Sequence, residues 1–141
     1  MAPHQQTVAA AVAELFASRP ELPVAAVYLF GSESRGTAHR ESDVDIALLL
    51  EGAPDRDRDF RLRVELGSEL IGHLHRNEVD LVILNQAPPL FARAIVTSGQ
   101  RVFCRNELAA RDFVRDVQLK AADLEPFVER GRRRLLDRLA P

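Results

Sequence analysis

The stretch LFGSESRGTAHRESDVDIALLL, residues 29–50, decides the fold because it joins two apolar runs through a turn-rich link. The first run, VAAVYLF, predicts a buried strand that ends at Gly31, and the second, DVDIALLLE, predicts a strand that opens on Asp43 and Asp45. Residues two apart on a strand point to the same face, so the two carboxylates project together. Burying either without compensation is costly, so a positive group is expected between them.

Hydrophobic spacing along the rest of the chain predicts an alternation of helices and strands. The expected elements are a helix over 4–18, strands over 24–30 and 43–51, a helix over 56–76, a strand over 78–85, a helix opened by Pro88 and ended by Gly99, a short strand over 100–104, and helix from Glu107 onward with a break or kink at Pro126. The link between the first two strands suits an antiparallel pair better than a crossover. The predicted fold class is therefore α/β, with a small mixed sheet flanked by helices.

Length and composition exclude several classes of protein. The chain has 141 residues, 46% of them hydrophobic and 28% charged, which fits one folded domain. The net charge of −2 argues against nucleic-acid binding by bulk electrostatics, so no direct nucleic-acid binding is expected. Cys104 is the only cysteine, and no run approaches the length of a membrane span. A cytoplasmic protein is expected.

A third carboxylate points to metal chemistry. Asp80 interrupts the apolar strand EVDLVILN and joins the first pair if that strand lies beside DVDIALLLE. Carboxylate oxygens with open positions suit Mg²⁺, and three aspartates can hold two such ions for an in-line displacement at phosphorus. Gly31 lets the backbone approach a ligand closely, and the amides and hydroxyl around Ser32 can donate to phosphate oxygens. Nearby Arg35 and Arg40 add cations for a polyphosphate.

The order and spacing of these motifs are more restrictive than any one of them. The pattern G-S-x-x-R-G, then S-D-x-D on the next strand, then V-D-L on a third, resembles the signature of the DNA polymerase beta-like nucleotidyltransferase superfamily. The length, the continuation VDLVILNQAPPLFARAIVTSGQRVFCRN and the C-terminal DVQLKAADLEPFVERGRRRLLDRL resemble its minimal members, the MntA-type antitoxins of HEPN/MNT toxin–antitoxin systems. This resemblance implies a nucleotidyltransferase fold, with a domain over 1–105 and a helical extension of that domain over 106–141.

The resemblance also implies an activity, a partner and a set of site residues. The activity is transfer of AMP from ATP to a tyrosine of a HEPN ribonuclease toxin encoded nearby, which silences that toxin. Mg²⁺, as two ions, is the implied cofactor. The implied nucleotide-binding residues are Gly31, Ser32, Arg35 and Ser42, and the implied metal-binding and catalytic residues are Asp43, Asp45 and Asp80. Asp80 would also help to deprotonate the attacking hydroxyl.

Two other functions remain open at this stage. One is an antitoxin that neutralises its partner by binding alone, with a vestigial nucleotide site. The other is a nucleotidyltransferase whose acceptor is an aminoglycoside or an RNA end, although such enzymes usually carry an additional acceptor domain. The arginine-rich ERGRRRLLDRLA near the C-terminus is interpreted as a solvated helix face whose Leu135, Leu136 and Leu139 pack inward.

Overall fold

The computed structural model describes residues 7–31 and 43–139, and these residues form four α-helices and four strands. In chain order the elements are α1 Val8–Ala17, β1 Val24–Phe30, β2 Val44–Leu50, α2 Arg56–Leu74, β3 Val79–Ile83, a 3-10 turn Leu84–Gln86, α3 Pro89–Ser98, β4 Gln100–Cys104 and α4 Glu107–Leu139. This is the predicted order of elements. Residues 4–6 of the predicted first helix lie outside the described residues.

The four strands form one mixed sheet in the order β3-β2-β1-β4. β1 is antiparallel to both β2 and β4, whereas β2 and β3 are parallel and are connected through α2. The link between β1 and β2 joins an antiparallel pair, while the parallel pair of β2 and β3 needs a crossover connection, which α2 provides. The predicted α/β class with a small mixed sheet is confirmed.

Strand alternation divides the hydrophobic core between the two faces of the sheet. Val44, Ile46 and Leu48 of β2 belong to the core beneath α1 and α2. Ala47 and Leu49 belong to the second core, beneath α3 and α4. By the same period of two, the side chain of Asp45 projects on the face that α3 and α4 cover.

The C-terminal helix departs from two of the expectations. α4 is continuous from Glu107 to Leu139 with Pro126 inside it, so of the predicted break or kink at Pro126 the break is wrong, and the kink stays a prediction. The proline leaves the carbonyl of Ala122 without its helical donor, but this part of the helix is exposed, and water can satisfy that carbonyl at lower cost.

The leucines near the end of α4 also differ from expectation. Leu135, Leu136 and Leu139 are 58%, 59% and 73% exposed, so the prediction that they pack inward is wrong. Ala121 is the last buried residue of α4, and the described residues beyond it are exposed, although Glu125 still forms an ion pair with Arg93 of α3. In the described part of the chain, no helix is both long and apolar enough to cross a membrane.

Candidate active site

Two of the three predicted aspartates are neighbours in the sheet. Asp45 of β2 pairs in register with Asp80 of β3, and paired residues of parallel strands project on the same face. Adjacent strands lie about 4.8 Å apart, so both carboxylates occupy the same small region at the start of these strands. Asp43 stands two residues before Asp45, about 6.6 Å along the chain if it continues the strand direction. The three carboxylates therefore share one edge of the sheet.

The turn after β1 approaches one of these carboxylates closely. Gly31 has φ +70°, in the left-handed region, and directly follows Phe30, which pairs with Asp45. A Cβ atom at Gly31 would overlap Asp45 Oδ2 and would lie 3.3 Å from Asp45 Cγ. Both the backbone conformation and the space at this position therefore require glycine.

The remaining predicted nucleotide-binding residues lie outside the part of the chain that the structure describes. These residues are Ser32, Arg35 and Ser42, together with Arg40, all within 32–42. Their assignment stays a prediction.

The carboxylates fit a divalent cation in chemistry and in strand register. Within residues 7–31 and 43–139, no three His, Cys, Asp or Glu side chains lie close enough to hold a metal ion by themselves. Mg²⁺, however, is usually held by one or two carboxylates, with substrate phosphates and water completing its octahedron. The in-register pair Asp45 and Asp80 supplies oxygen ligands of this kind beside the close approach at Gly31.

The site crosses three adjacent strands in a fixed order. Gly31 directly follows β1, Asp45 lies on β2 and Asp80 lies on β3, which is one of the two terminal strands among those the structure describes. On the α3 side, the rings of Phe30 and Phe91 meet edge to face with centroids 5.9 Å apart. The close approach at Gly31 and the carboxylates of Asp45 and Asp80 thus follow one another across the sheet.

A sequence model of the family described as polymerase beta, nucleotidyltransferase matches residues 11–108, which is more than half of the chain. The chain belongs to this nucleotidyltransferase family. The match runs from α1 into the first residues of α4 and includes Gly31 and all three aspartates. The family resemblance predicted from the sequence is thereby confirmed.

Individual relatives match part or most of the length of this chain. Protein adenylyltransferase MntA of Shewanella oneidensis MR-1 is 39% identical over 77 residues, 55% of this chain and 52% of that protein, so the match spans about half of the relative's length. A chain in the crystal structure of a toxin–antitoxin with AMP-PNP is 26% identical with a TM-score of 0.64, covering 89% of this chain and 95% of that one. The structure of tri-AMPylated Shewanella oneidensis HEPN toxin in complex with MNT antitoxin gives 25% identity and a TM-score of 0.55, covering 83% of both chains.

One buried carboxylate of this nucleotidyltransferase was not predicted. Asp59 of α2 is only 3% exposed. It accepts hydrogen bonds from Arg58 Nη2 at 3.0 Å and from Gln86 Nε2 at 2.8 Å. The contact with Gln86 ties α2 to the turn that follows β3, the strand that carries Asp80. The available signal was its spacing, since Asp59 falls on the same helical stripe as Leu62 and Leu66.

A second polar link fixes β3 beside β2. Asn85 Oδ1 accepts from the backbone N–H of Leu50 at 2.8 Å, and Asn85 Nδ2 donates to the carbonyl oxygen of Leu50 at 3.0 Å. The amide side chain therefore replaces a backbone partner where the parallel pairing ends. This pair of hydrogen bonds helps to hold the register in which Asp45 faces Asp80.

Proposed function

We propose that this protein is a Mg²⁺-dependent protein adenylyltransferase and an antitoxin. It transfers AMP from ATP to a tyrosine of a cognate HEPN ribonuclease toxin and so neutralises that toxin. The observation that carries the proposal is the register of Asp45 with Asp80 beside the close approach at Gly31. The named activity of the MntA relative and the toxin–antitoxin structures with AMP-PNP and AMPylated toxin support the choice of nucleotide, acceptor and partner.

The proposed residues divide the reaction between them. Asp43 and Asp45 hold two Mg²⁺ ions, and Asp80 completes this set and accepts the proton of the attacking hydroxyl. Bound Mg²⁺ neutralises charge on the phosphates and lowers the pKa of the hydroxyl. Gly31 lets the backbone reach the triphosphate, to which Ser32, Arg35 and Ser42 donate.

The chemical step is an in-line displacement. The tyrosine oxygen attacks the α-phosphorus of ATP, and pyrophosphate leaves from the opposite side. The chain mainly positions the reactants and stabilises the charge that develops, which are the two largest contributions available to such a site.

We also propose a domain organisation and a cellular location for this protein. Residues 1–105 form the nucleotidyltransferase domain, and residues 106–141 form its C-terminal helical extension. The protein acts in the cytoplasm, where ATP and Mg²⁺ are supplied. A HEPN toxin encoded beside this protein is the partner to test first.

The experiment presents α-labelled ATP and Mg²⁺ with one acceptor at a time: the neighbouring gene's product, an aminoglycoside and an RNA. Label on the protein acceptor alone is expected, and Asp80→Asn should prevent it. Label on the drug or the RNA would contradict the proposed acceptor. A stable complex with the toxin that carries no label would indicate an antitoxin that works by binding alone.

A further inference from the structure

The exposed last part of α4, the α4 tail (residues 122–139), continues the apolar stripe that the same helix buries against the domain. The buried members of this stripe are Ala110, Val117 and Ala121. The exposed members follow on the same side at helical spacing and are Leu124, Val128, Leu135 and Leu139, with exposed fractions of 38%, 54%, 58% and 73%. The α4 tail therefore presents an apolar face that the other described elements leave largely open.

The charges of the α4 tail are segregated along its length. Its first part, residues 122–129, contains Asp123, Glu125 and Glu129 and no basic residue. Its last part, residues 130–139, contains five arginines and one acidic residue, Asp137. The tail is therefore acidic where it leaves the domain and basic at its far end.

A groove of about 610 Å³ lies between α3 and the first part of the α4 tail. Its apolar lining consists of Leu90 of α3 and of Ala122, Pro126 and Val128 of α4. Its charged lining consists of Arg93, Glu125 and Glu129, and Arg93 forms an ion pair with Glu125. The lining thus has one more acidic residue than basic residues. Such a groove suits apolar side chains that are accompanied by positive charge.

The far end of the same tail has this combination of properties. Leu135, Leu136 and Leu139 are more than half exposed, and the arginines of residues 132–138 lie among them. One helix therefore carries both a groove and the group of side chains that fits it. A surface of this kind is self-complementary, as an interface around a two-fold axis must be, since each copy offers the same patch to the other.

The charge segregation selects the direction in which two such tails would pack. In an antiparallel pair, the acidic first part of each tail faces the basic last part of the other, on both sides of the two-fold axis. In a parallel pair, the five arginines of one tail would lie beside those of the other, and like charges repel. Only the antiparallel pair matches both the charges and the groove.

The middle of the α4 tail allows two helices to approach each other closely. Gly131 lies there, and a Cβ atom added at this position would meet no atom within 4 Å. Because glycine has no side chain, the backbone of a second helix can come near at this point. The tail is about 27 Å long, which gives a contact of about five helical turns.

We propose that the α4 tail is a self-association surface through which two copies of this chain form a dimer. The two tails pack antiparallel around a two-fold axis near Gly131, and the leucines at the end of each tail occupy the groove of the other copy. This inference does not depend on the adenylyl transfer proposed above, since none of its residues belongs to the candidate active site.

The first test measures the mass of the purified protein, without any partner, by sedimentation velocity over a range of micromolar concentrations. Wild-type protein should show a monomer–dimer equilibrium. Leu135→Gln/Leu139→Gln should weaken the dimer by roughly 100-fold or more, because each dimer loses the burial of two leucines from each copy. Leu119→Gln is the matched control: Leu119 is 63% exposed on the opposite side of the same helix, so this variant should associate like the wild type. Circular dichroism shows whether each variant is folded.

The second test reverses charges at the basic end of the tail. Arg134→Glu/Arg138→Glu should weaken an antiparallel dimer by roughly tenfold, because these side chains lose their attraction to the acidic first part of the other tail. In a parallel dimer the same substitutions would relieve repulsion and strengthen association. Added salt should weaken the wild-type dimer, since salt screens the attraction between the exposed charges.

Three results would overturn the inference. One is wild-type protein that stays monomeric throughout, and another is a dimer that the leucine substitutions leave unchanged. A dimer that Arg134→Glu/Arg138→Glu strengthens would contradict the antiparallel arrangement. If the isolated protein is monomeric and the leucine variant loses only its binding to the neighbouring gene's product, the tail docks that partner instead of a second copy.

Discussion

Gly31 and Asp45 are in such close contact that no side chain fits between them. A Cβ atom at Gly31 would overlap Asp45 Oδ2, and the glycine has φ +70°. The residue that follows β1 therefore contacts the carboxylate of Asp45 on β2. Gly31 of the G-S-x-x-R-G motif and Asp45 of the S-D-x-D motif thus lie next to each other.

Gly31→Ala should impair both stability and transfer. The left-handed backbone alone costs an L-residue about 1–2 kcal/mol, and the overlap with Asp45 adds to this cost or displaces the carboxylate. Urea unfolding and AMP transfer to the toxin measure the two effects. Gly72→Ala is the control, because Gly72 lies in α2 with open space around it, and there alanine should be neutral or slightly stabilising. Equal effects of the two substitutions would contradict this account.

Asp80→Asn should abolish transfer without unfolding the protein. The substitution keeps the shape of the side chain and removes both a metal ligand and the proton acceptor, so transfer should fall on the order of 100-fold or more. Asp43→Ala and Asp45→Ala should behave similarly. Asp80→Asn and Asp43→Ala also relieve repulsion among neighbouring carboxylates when no metal is bound, so the unfolding midpoint of these two variants should not fall. Asp123→Asn, on the exposed face of α4, is the control and should leave transfer intact.

Asp59→Ala should destabilise the fold, although Asp59 is not one of the proposed catalytic or metal-binding residues. The substitution removes the acceptor of Gln86 Nε2 and the carboxylate partner of Arg58, which should lower the free energy of unfolding by about 2–3 kcal/mol. Asp57 lies two residues before Asp59 on α2 and is exposed, so Asp57→Ala should cost less than about 1 kcal/mol. Chemical denaturation of both variants checks the difference, and a similar cost at both positions would refute a special role for Asp59.

The end of α4 should contribute little to the stability of the isolated chain. Leu135 and Leu139 are exposed, so replacing both with Gln should change the free energy of unfolding by no more than about 0.5 kcal/mol. Val117→Ala, in the buried half of the same helix, should cost about 1–3 kcal/mol. A large loss from the leucine substitutions in dilute monomer would mean that these side chains pack inward after all.

Stability should fall at alkaline pH because the buried Tyr28 phenol and the partly buried Cys104 thiol are held in their protonated forms. Burial raises the pKa of the Tyr28 phenol and of the Cys104 thiol above their ordinary values of 10.0 and 9.0. The unfolded chain therefore releases these protons first, so this stability is present below pH 9.0 and is lost as the pH rises through the folded-state pKa values. Thermal unfolding across this range should show the fall, and Tyr28→Phe with Cys104→Ala should reduce its slope. An unchanged slope would assign the loss to other groups.

Much of the fold follows from local patterns in the sequence. VAAVYLF, DVDIALLL and QRVFC are short apolar runs bounded by turn residues, and each forms a strand close to its predicted limits. The antiparallel pairing of the first two strands agrees with the turn-rich character of their link. Gly99 caps the C-terminus of α3 as expected. Its backbone is extended, and β4 begins at the next residue.

The contacts that complete the site depend on tertiary structure and were not predictable in detail. The convergence of Asp45 and Asp80 was conditional on the pairing of two strands separated by a long helix, and side-chain hydrogen bonds of Asn85 help to set their register. Asp59 lies at the end of the polar segment APDRDRD, and its hydrogen bonds with Arg58 and Gln86 satisfy its carboxylate in the buried position. The helical pattern around Leu135 indicated an apolar face but could not indicate that the leucines of this face stay exposed.

The most direct test of the central claim uses ATP labelled either at the α-phosphorus or at the γ-phosphorus, with Mg²⁺, this protein and the product of the neighbouring gene. The account predicts label on the partner from α-labelled ATP only, and loss of that label with Asp43→Ala. Label from γ-labelled ATP would indicate phosphoryl transfer instead of nucleotidyl transfer. A stable complex that acquires no label from either would contradict the enzymatic account and leave neutralisation by binding.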